Sequence, residues 1–242
     1  MRNLPKLLTV LLMGCITCGV AVAQQTTVTA SVAVTRSGKV RSRDASNVVL
    51  WLTPNDASKA SPLPAAEPSS KPRLVQKNKS FEPHVLVVPV GSMVEFPNRD
   101  PFFHNVFSLF EGKRFDLGLY EAGSTRDVLF EKPGISYIFC NIHAEMSAVV
   151  VAVNTPYFGV SDRQGQVVIR NVPPGSYWLR VWYESALPDS LNALTREVKI
   201  SDSASTLGRL SVPATNLPQE HKNLYGRDYT APAPTSPTYE HP

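Results

Sequence analysis

Cysteine is scarce in this chain of 242 residues. It has three, and two of them, Cys15 and Cys18, lie in an N-terminal segment that we expect to be removed. Cys140 would then be the one thiol of the mature chain, which excludes an internal disulfide. A lone thiol in an exported protein is buried and inert, paired between two chains, or in chemical use. The residue types around Cys140 therefore indicate which of these three possibilities applies.

Glycine and blocks of like charge are also in short supply. The chain has 13 glycines against 21 prolines, a balance that disfavours long uninterrupted helices. Charged residues make up 18% and form no run of one sign, so neither nucleic acid nor an anionic membrane surface is an implied partner. Hydrophobic residues make up 43%, enough for most of the chain to fold, and the length suits one or two domains.

The first residues are typical of a secretory signal peptide. Arg2 and Lys6 form a positive end, an apolar stretch follows, and small residues suit cleavage after Ala23. The apolar stretch is shorter than the ~20 residues that a membrane span needs. Removing residues 1–23 leaves 22 basic against 20 acidic residues, so the net charge falls from +4 to +2. Lipoprotein processing at Cys15 is an alternative, and both interpretations predict a periplasmic or secreted protein.

Beyond the signal peptide, short β-branched and apolar runs alternate with turn residues such as Ser37-Gly38. This spacing, without an amphipathic helix, predicts an all-β fold, a β-sandwich or a barrel. Two proline-rich stretches interrupt it, residues 54–72 as a surface linker and residues 213–242 as a flexible tail. The strands are predicted at residues 27–34, 47–52, 73–77, 85–90, 93–96, 105–109, 126–130, 135–139, 148–153, 167–172, 177–183, 198–200 and 210–212.

Three further metal-donor side chains accompany the single mature thiol in the sequence. Cys140, His143 and Met146 form a Cys-x2-His-x2-Met motif at the end of a predicted strand, and His104 follows an earlier strand. Two imidazoles, a thiolate and a thioether are the donor set of a copper site with a weak axial methionine, which predicts one-electron chemistry. Zinc suits this set less well, since thioether is not among its usual ligands. The structural alternative is a buried thiol with Met146 filling a gap in the core.

Residues 74–153 resemble a cupredoxin, the blue copper family. The resemblance is carried by the segments FEPHVLVV at 81–88, VEFPN at 94–98, HNV at 104–106 and PGISYIFC at 133–140, and the short His-x2-Met gap is similar to the ligand loop of amicyanin.

The cupredoxin resemblance implies a Greek-key β-sandwich with one type 1 copper per chain. His104, Cys140 and His143 would hold the metal in a plane, and Met146 would be the axial ligand. Asn105 would link the ligand loops by hydrogen bonds.

A second stretch resembles the carboxypeptidase regulatory-like β-sandwich, a smaller domain. The segments SDRQGQVVI at 161–169 and VPPGSYWLRV at 172–181 carry this resemblance. Such modules begin with a strand, a turn and a second strand, and residues 27–52 have that form.

We therefore expect a discontinuous domain of residues 25–53 and 155–212, with the cupredoxin domain, residues 73–154, inserted into it. Two domains in tandem are the alternative. Pairing of the strands in 27–52 with 177–183 would support the insertion, whereas pairing with 85–90 would exclude it.

These observations predict an exported one-electron carrier that is not an enzyme. The cupredoxin resemblance extends to methylamine utilisation proteins, which implies a redox partner such as a cytochrome c or a quinoprotein dehydrogenase. Copper storage or delivery without electron transfer is the alternative, because the same ligands would serve it. Copper oxidases and nitrite reductases need further histidines that flank the cysteine, and Cys140 has none. We expect His84 to be structural and the tail histidines, His221 and His241, to have no specific role.

Overall fold

The computed structural model describes residues 25–36, 39–40, 44–56, 71–109, 112–201, 205–215 and 222–229. The predicted signal peptide, the Ser37-Gly38 turn, most of the predicted linker, and both His221 and His241 of the predicted tail lie outside these described residues. Within the described part of the chain, no helix is long and apolar enough to cross a membrane.

Nearly all of the regular structure in the described residues is β-strand, which confirms the predicted all-β fold class. The one helix is α1, Pro188–Asn192. The strands are β1 Thr26–Arg36, β2 Lys39–Val40, β3 Val49–Pro54, β4 Val75–Lys77, β5 Ser80–Glu82, β6 Val85–Pro89, β7 Ser92–Pro97, β8 His104–Ser108, β9 Phe115–Tyr120, β10 Thr125–Phe130, β11 Gly134–Cys140, β12 Ser147–Val153, β13 Phe158–Val160, β14 Gln166–Val172, β15 Gly175–Trp182, β16 Arg196–Ile200 and β17 Thr206–Pro213.

The middle of the chain forms one β-sandwich, here called the central sandwich, residues 71–153. Its larger sheet has the strand order β6-β12-β11-β8-β9, and it faces the antiparallel pair of β7 and β10. A short hairpin of β4 and β5 lies beside this pair. The apolar side chains between the sheets, among them Phe96, Phe130, Ile138 and Val150, are almost completely buried.

The two ends of the described chain form a second sandwich, here called the split sandwich, residues 25–56 and 158–213. One sheet has the order β14-β1-β17 and the other the order β13-β3-β15-β16. In the register of β3 with β15, Leu50 pairs with Val181 and Leu52 pairs with Leu179. This is the strand pairing that the insertion hypothesis requires, and no β3 pairing with β6 occurs among the described residues.

Strand β12 is apolar along nearly its whole length because both of its faces are covered. Val149, Val151 and Val153 belong to the same hydrophobic cluster as the core of the split sandwich. Ala148, Val150 and Ala152 point the other way, into the core of the central sandwich. A strand buried on both faces needs no alternation with polar residues. The larger central sheet therefore connects the two cores.

Four short or edge strands were missing from the sequence prediction, namely β2, β5, β9 and β13, and β2 has only two residues. Strand β9 is at the edge of its sheet and buries only Tyr120 fully, so its sequence FDLGLY has no clear alternation. Strands β5 and β13 have three residues each, too few to establish a period.

Candidate metal centre

The cluster is built at the end of two neighbouring strands of the central sandwich. His104 is the first residue of β8 and Cys140 is the last residue of β11. The two strands are antiparallel, with Cys140 opposite Val106, so this register brings the two donors to the same end of the sheet. His143 follows in the turn after β11. The strand pairing thus joins donors that lie 36 residues apart in the chain.

Three of the four predicted ligands meet at one point. The Cys140 Sγ atom lies 3.7 Å from Nδ1 of His104 and 3.5 Å from Nδ1 of His143. One donor atom from each of the three residues falls within 4.8 Å of the others. His104 and Cys140 are completely buried, and His143 is 6% exposed. The thiol and both imidazole nitrogens therefore converge in a space closed to solvent.

Met146 closes the turn that carries His143. Its backbone N–H donates to the carbonyl of His143 at 3.2 Å, and its own carbonyl accepts the N–H of Cys140, also at 3.2 Å. Its side chain is completely buried in the same hydrophobic cluster as Cys140. The Cys-x2-His-x2-Met spacing thus forms a compact hydrogen-bonded turn in which the thioether lies inside the sandwich.

The surroundings of Cys140 act on its thiol in opposite directions. Burial raises the pKa of the thiol, because a thiolate loses its hydration there. The backbone N–H groups of Ile142, Asn105 and His143 donate to the sulfur and lower the pKa, although burial prevails. If a bound cation compensated the charge of a thiolate here, these three N–H groups would also donate hydrogen bonds to the thiolate sulfur.

Both histidines are held in the neutral form that a metal requires. Burial and the neighbouring His104 lower the pKa of His143 to about 4. Burial also lowers the pKa of His104, although Asp100 opposes the shift. A neutral imidazole keeps a lone pair for coordination, whereas an imidazolium has none. At neutral pH the two rings are therefore ready to bind a cation without releasing protons.

Asp100 is a functional residue that the sequence reasoning missed. Its Oδ2 atom accepts a hydrogen bond of 2.8 Å from Nε2 of His104, and the carboxylate is only 5% exposed. It also accepts the N–H groups of Asn78 at 2.6 Å and Lys79 at 3.0 Å. Although burial opposes ionisation, these donors and His104 lower the pKa of Asp100. With its Nε2 proton held by Asp100, His104 presents the lone pair of Nδ1 to the cluster.

A turn hides Asp100 in the sequence. Asn98-Arg99-Asp100 are typical turn residues between two strands, and Asn98 accepts the N–H of Asp100 through its side chain at 3.0 Å. The signal that could have identified the residue is an acid four positions before a candidate ligand, in a turn that leads into the strand of that ligand.

Asn105 links the two ligand segments through its backbone. Its carbonyl accepts the N–H of Asn141 at 3.3 Å, while its side-chain amide donates to Asp116 at 2.8 Å. Asn105 is therefore hydrogen-bonded to the ligand loop through its backbone and to β9 through its side chain. Its Oδ1 atom is buried and has no hydrogen-bond partner among the described residues.

Residues 222–229 lie against the ligand loop, although they belong to the predicted flexible tail. The side chain of Asn141 accepts the N–H of Leu224 at 2.8 Å, and the hydroxyl of Tyr229 donates to the carbonyl of Cys140 at 2.7 Å. Burial raises the pKa of Tyr229, so the phenol stays protonated and keeps this bond. Two hydrogen bonds therefore join this part of the predicted flexible tail to the ligand loop.

Phe102 shields the two imidazoles from one side. Its ring centroid is 5.2 Å from that of His104 and 5.6 Å from that of His143. The two imidazole rings are themselves 4.9 Å apart in an edge-on arrangement. Aromatic packing of this kind limits ring rotation and keeps water from the donors.

His84 lies outside the cluster. Its Nε2 atom is 2.6 Å from a carboxylate oxygen of Glu184, and its Nδ1 atom is 3.2 Å from the carbonyl of Ser147. The bond to Glu184 raises the pKa of His84, against the effect of burial. His84 therefore connects the central sandwich to the split sandwich, consistent with the structural role expected for it.

The donor set fits a single metal ion. Donors 3.5 to 3.7 Å apart can share one ion, because metal–nitrogen and metal–sulfur bonds of ~2.0–2.3 Å allow separations up to about 4.4 Å. Neutral imidazoles, a thiol with three N–H donors and a buried thioether are ligands for a soft or borderline cation rather than for magnesium or calcium.

Comparison with known proteins gives partial structural similarities. No family model and no curated protein matches the chain. A purple cupredoxin from Nitrosopumilus maritimus is 22% identical, over 34% of this chain and 99% of that chain, with a TM-score of 0.31. A reduced mutant of amicyanin is 24% identical, over 38% and 92% of the two chains, with a TM-score of 0.33. A copper-containing nitrite reductase from Thermus scotoductus SA-01 is 22% identical, over 50% of this chain and 28% of that chain, with a TM-score of 0.34.

Proposed function

We propose that this protein binds one copper ion of type 1 and acts as an exported one-electron carrier. The observation that carries the proposal is the buried convergence of His104, Cys140 and His143, whose donor atoms fall within 4.8 Å of one another. Met146, buried in the turn that these ligands share, would be the weak axial ligand. Bound at this point, copper would supply reversible one-electron transfer.

Copper fits these donors better than zinc does. Structural zinc sites are closed by four strong thiolate or imidazole ligands, and the described part of the cluster offers three such groups. A set of two imidazoles and one thiolate with a nearby thioether matches the trigonal copper arrangement. The chemistry of the donors therefore supports copper and one-electron transfer together.

The residues around the donors keep the site in one geometry. Asp100 fixes the tautomer of His104, and the N–H groups of Asn105, Ile142 and His143 face the thiolate. Ligands held in this way move little when the charge of the ion changes, so reorganisation on electron transfer is small. A rigid site without an open coordination position suits a carrier rather than an enzyme.

Copper storage or delivery is the alternative, and the burial of the site argues against it. A delivery protein has to release its ion to an acceptor, which is easier from exposed ligands. Here the described ligands are 0 to 6% exposed, and residues 222–229 are bonded to the loop that carries them. Such closure favours retention of the ion.

We propose that the copper-binding domain, residues 73–154, is inserted into a regulatory-like domain of residues 25–53 and 155–212. The pairing of β3 with β15, and of β1 with both β14 and β17, supports the insertion. The split sandwich would act in contacts with other molecules rather than in electron transfer.

The partner would be a redox protein outside the cytoplasm, such as a cytochrome c or a quinoprotein dehydrogenase. In the direct test, Cu(I)-loaded protein is mixed with ferricytochrome c under anaerobic conditions, and haem reduction is followed. A carrier gives up one electron per copper, so that Cu(I) is oxidised to Cu(II) while one haem is reduced. The matched control is the Cys140→Ser variant treated in the same way, in which we expect no haem reduction.

The storage alternative predicts a different result. The Cu(I) protein would leave ferricytochrome c oxidised and would give its copper quickly to a competing Cu(I) chelator. That outcome, with an intact copper site, would contradict the carrier proposal.

A further inference from the structure

A cleft lies between the two sandwiches, beside the first residues of β11, whereas the ligand loop follows the last residue of that strand. The cleft has a volume of about 510 Å³. One wall is the outer face of the sheet β13-β3-β15-β16, and the opposite wall is formed by β11 and β12 of the larger central sheet, with α1 at one end. Clefts of ~300–1,000 Å³ at a boundary between domains are the usual sites for small molecules.

All three tryptophans of the chain lie on one face of the split sandwich. On β15, Trp178 and Trp182 alternate with Leu179 and Val181 and therefore lie on the other face of the sheet. Trp182 is buried on that face, in the hydrophobic cluster that also contains Val151 of the central sandwich. Trp51 on β3 is on the same face, directly opposite position 180 of β15. Trp51 and Trp182 line the cleft, and Trp178 continues the face outward with 42% of its surface exposed.

Arg180 lies in the middle of this tryptophan face and is charged but unpaired. It lines the cleft between Trp178 and Trp182 along β15. No described residue forms an ion pair or a hydrogen bond with its side chain, and no residue that lines the cleft is acidic. The cleft therefore has a net positive charge with no internal counter-ion.

The opposite wall of the cleft is largely aliphatic. Ile135, Val151 and Val153 contribute to it, and Tyr137 adds an aromatic ring. A flat apolar ring would pack there against tryptophan on one side and aliphatic side chains on the other.

We propose that this cleft binds a planar aromatic anion, such as an aromatic carboxylate. The ring would lie between Trp51, Trp182 and the aliphatic wall, and its carboxylate would accept hydrogen bonds from Arg180, whose fork-shaped guanidinium matches a carboxylate. This site is independent of the copper proposal, because none of its lining residues belongs to the ligand cluster.

The test uses the full chain and two probes with the same ring, the anion 2-naphthoate and the neutral 2-naphthamide, titrated by calorimetry. We expect one saturable site for 2-naphthoate. In Arg180→Gln the Kd of 2-naphthoate should rise about tenfold, because a hydrogen bond to a charged group is lost. The Kd of 2-naphthamide should change by less than a factor of about two. Arg170→Gln, an exposed arginine on β14, is the matched control and should change neither probe.

A second variant tests the cavity itself. Ala186 lines the cleft and is half-buried, so Ala186→Trp should fill the space and abolish binding of both probes. The proposal is overturned if 2-naphthoate shows no saturable binding up to about 1 mM. A Kd above that concentration corresponds to a binding free energy weaker than ~4 kcal/mol. It is also overturned if Arg180→Gln and Arg170→Gln act alike, or if neutral cellohexaose binds while 2-naphthoate does not.

Discussion

The two sandwiches of this protein differ in what they bury. Nine of the eleven buried polar or charged residues in the described chain belong to the central sandwich. The other two, Thr155 and Ser161, bond to the backbone of neighbouring segments and hold the split sandwich together. Burying polar groups costs stability unless they are bonded, so a concentration of them needs a reason. Five of the nine form the cluster or hold the segments around it, namely Asn98, Asp100, His104, Asn105 and His143.

The central sandwich is thus adapted to hold metal donors, and the split sandwich to maintain the packing of its own strands. The split sandwich has an aliphatic core, typical of a support. Strand β12 contacts both cores, since Val149 and Val151 face one and Val150 faces the other. The metal donors, however, all lie in the central sandwich, so substitutions in the two regions should have separable effects on stability and on metal binding.

The largest effect should come from a cavity in the core of the split sandwich. Leu179 is completely buried there, and Leu179→Ala should lower the free energy of unfolding by ~2–5 kcal/mol. Copper affinity of the folded protein should stay unchanged, because Leu179 lies in the other sandwich. Urea denaturation and a copper titration of the same sample measure the two quantities.

The matched variant in the central sandwich is Ile138→Ala. Ile138 is equally buried and shares a cluster with Cys140 and Met146, so this change should lower both stability and copper affinity. If Leu179→Ala weakened copper binding as much as Ile138→Ala does, the proposed separation of the two regions would be wrong.

A smaller effect is expected from Asp100, which acts on the site through His104. Asp100→Asn removes the negative charge that holds Nε2 of His104, and should weaken Cu(II) binding by about 10- to 100-fold. Cu(I) carries less charge and should lose less affinity, so the reduction potential should rise. Asp127→Asn, an exposed partner of Lys71, is the control and should change neither quantity. An unchanged reduction potential of the bound copper in Asp100→Asn would show that Asp100 has only a structural role.

The smallest effect concerns the His84–Glu184 contact between the two sandwiches. Both ring nitrogens of His84 face oxygen acceptors, so the protonated ring satisfies both, and its pKa is raised. This stabilisation is full below the ordinary pKa of 6.5 and is lost as the pH rises through the raised value. His84→Gln should therefore cost ~0.2–1 kcal/mol at low pH and almost nothing at high pH. Urea denaturation at the two pH values measures the difference, and a cost that grew with pH would contradict it.

Much of this architecture could be predicted because the strands carry their pattern in sequence. The alternation in β14 and β15, and the apolar run of β12, placed these strands close to their observed bounds. The ligand spacing was equally informative, because Cys140, His143 and Met146 lie in one short turn. Strand β9 could not be found, since an edge strand with few buried residues has no period.

The rest depended on contacts that form only when the chain folds. The bond of Asp100 to His104 joins positions four apart, but it needs the turn before β8 to fold back on the ring, which the spacing alone does not establish. The bond of Tyr229 to the carbonyl of Cys140 joins positions 89 residues apart. Likewise, the tryptophan face becomes visible only when the register of β3 and β15 is known.

The central claim, that Cys140 and two histidines hold copper in the central sandwich, is tested most directly by adding Cu(II) and recording the absorption spectrum. We predict an intense visible thiolate-to-copper band that saturates at one copper per chain and is lost in Cys140→Ser, while the far-ultraviolet circular dichroism of the variant stays unchanged. A colourless complex, or the same band in Cys140→Ser, would contradict the account.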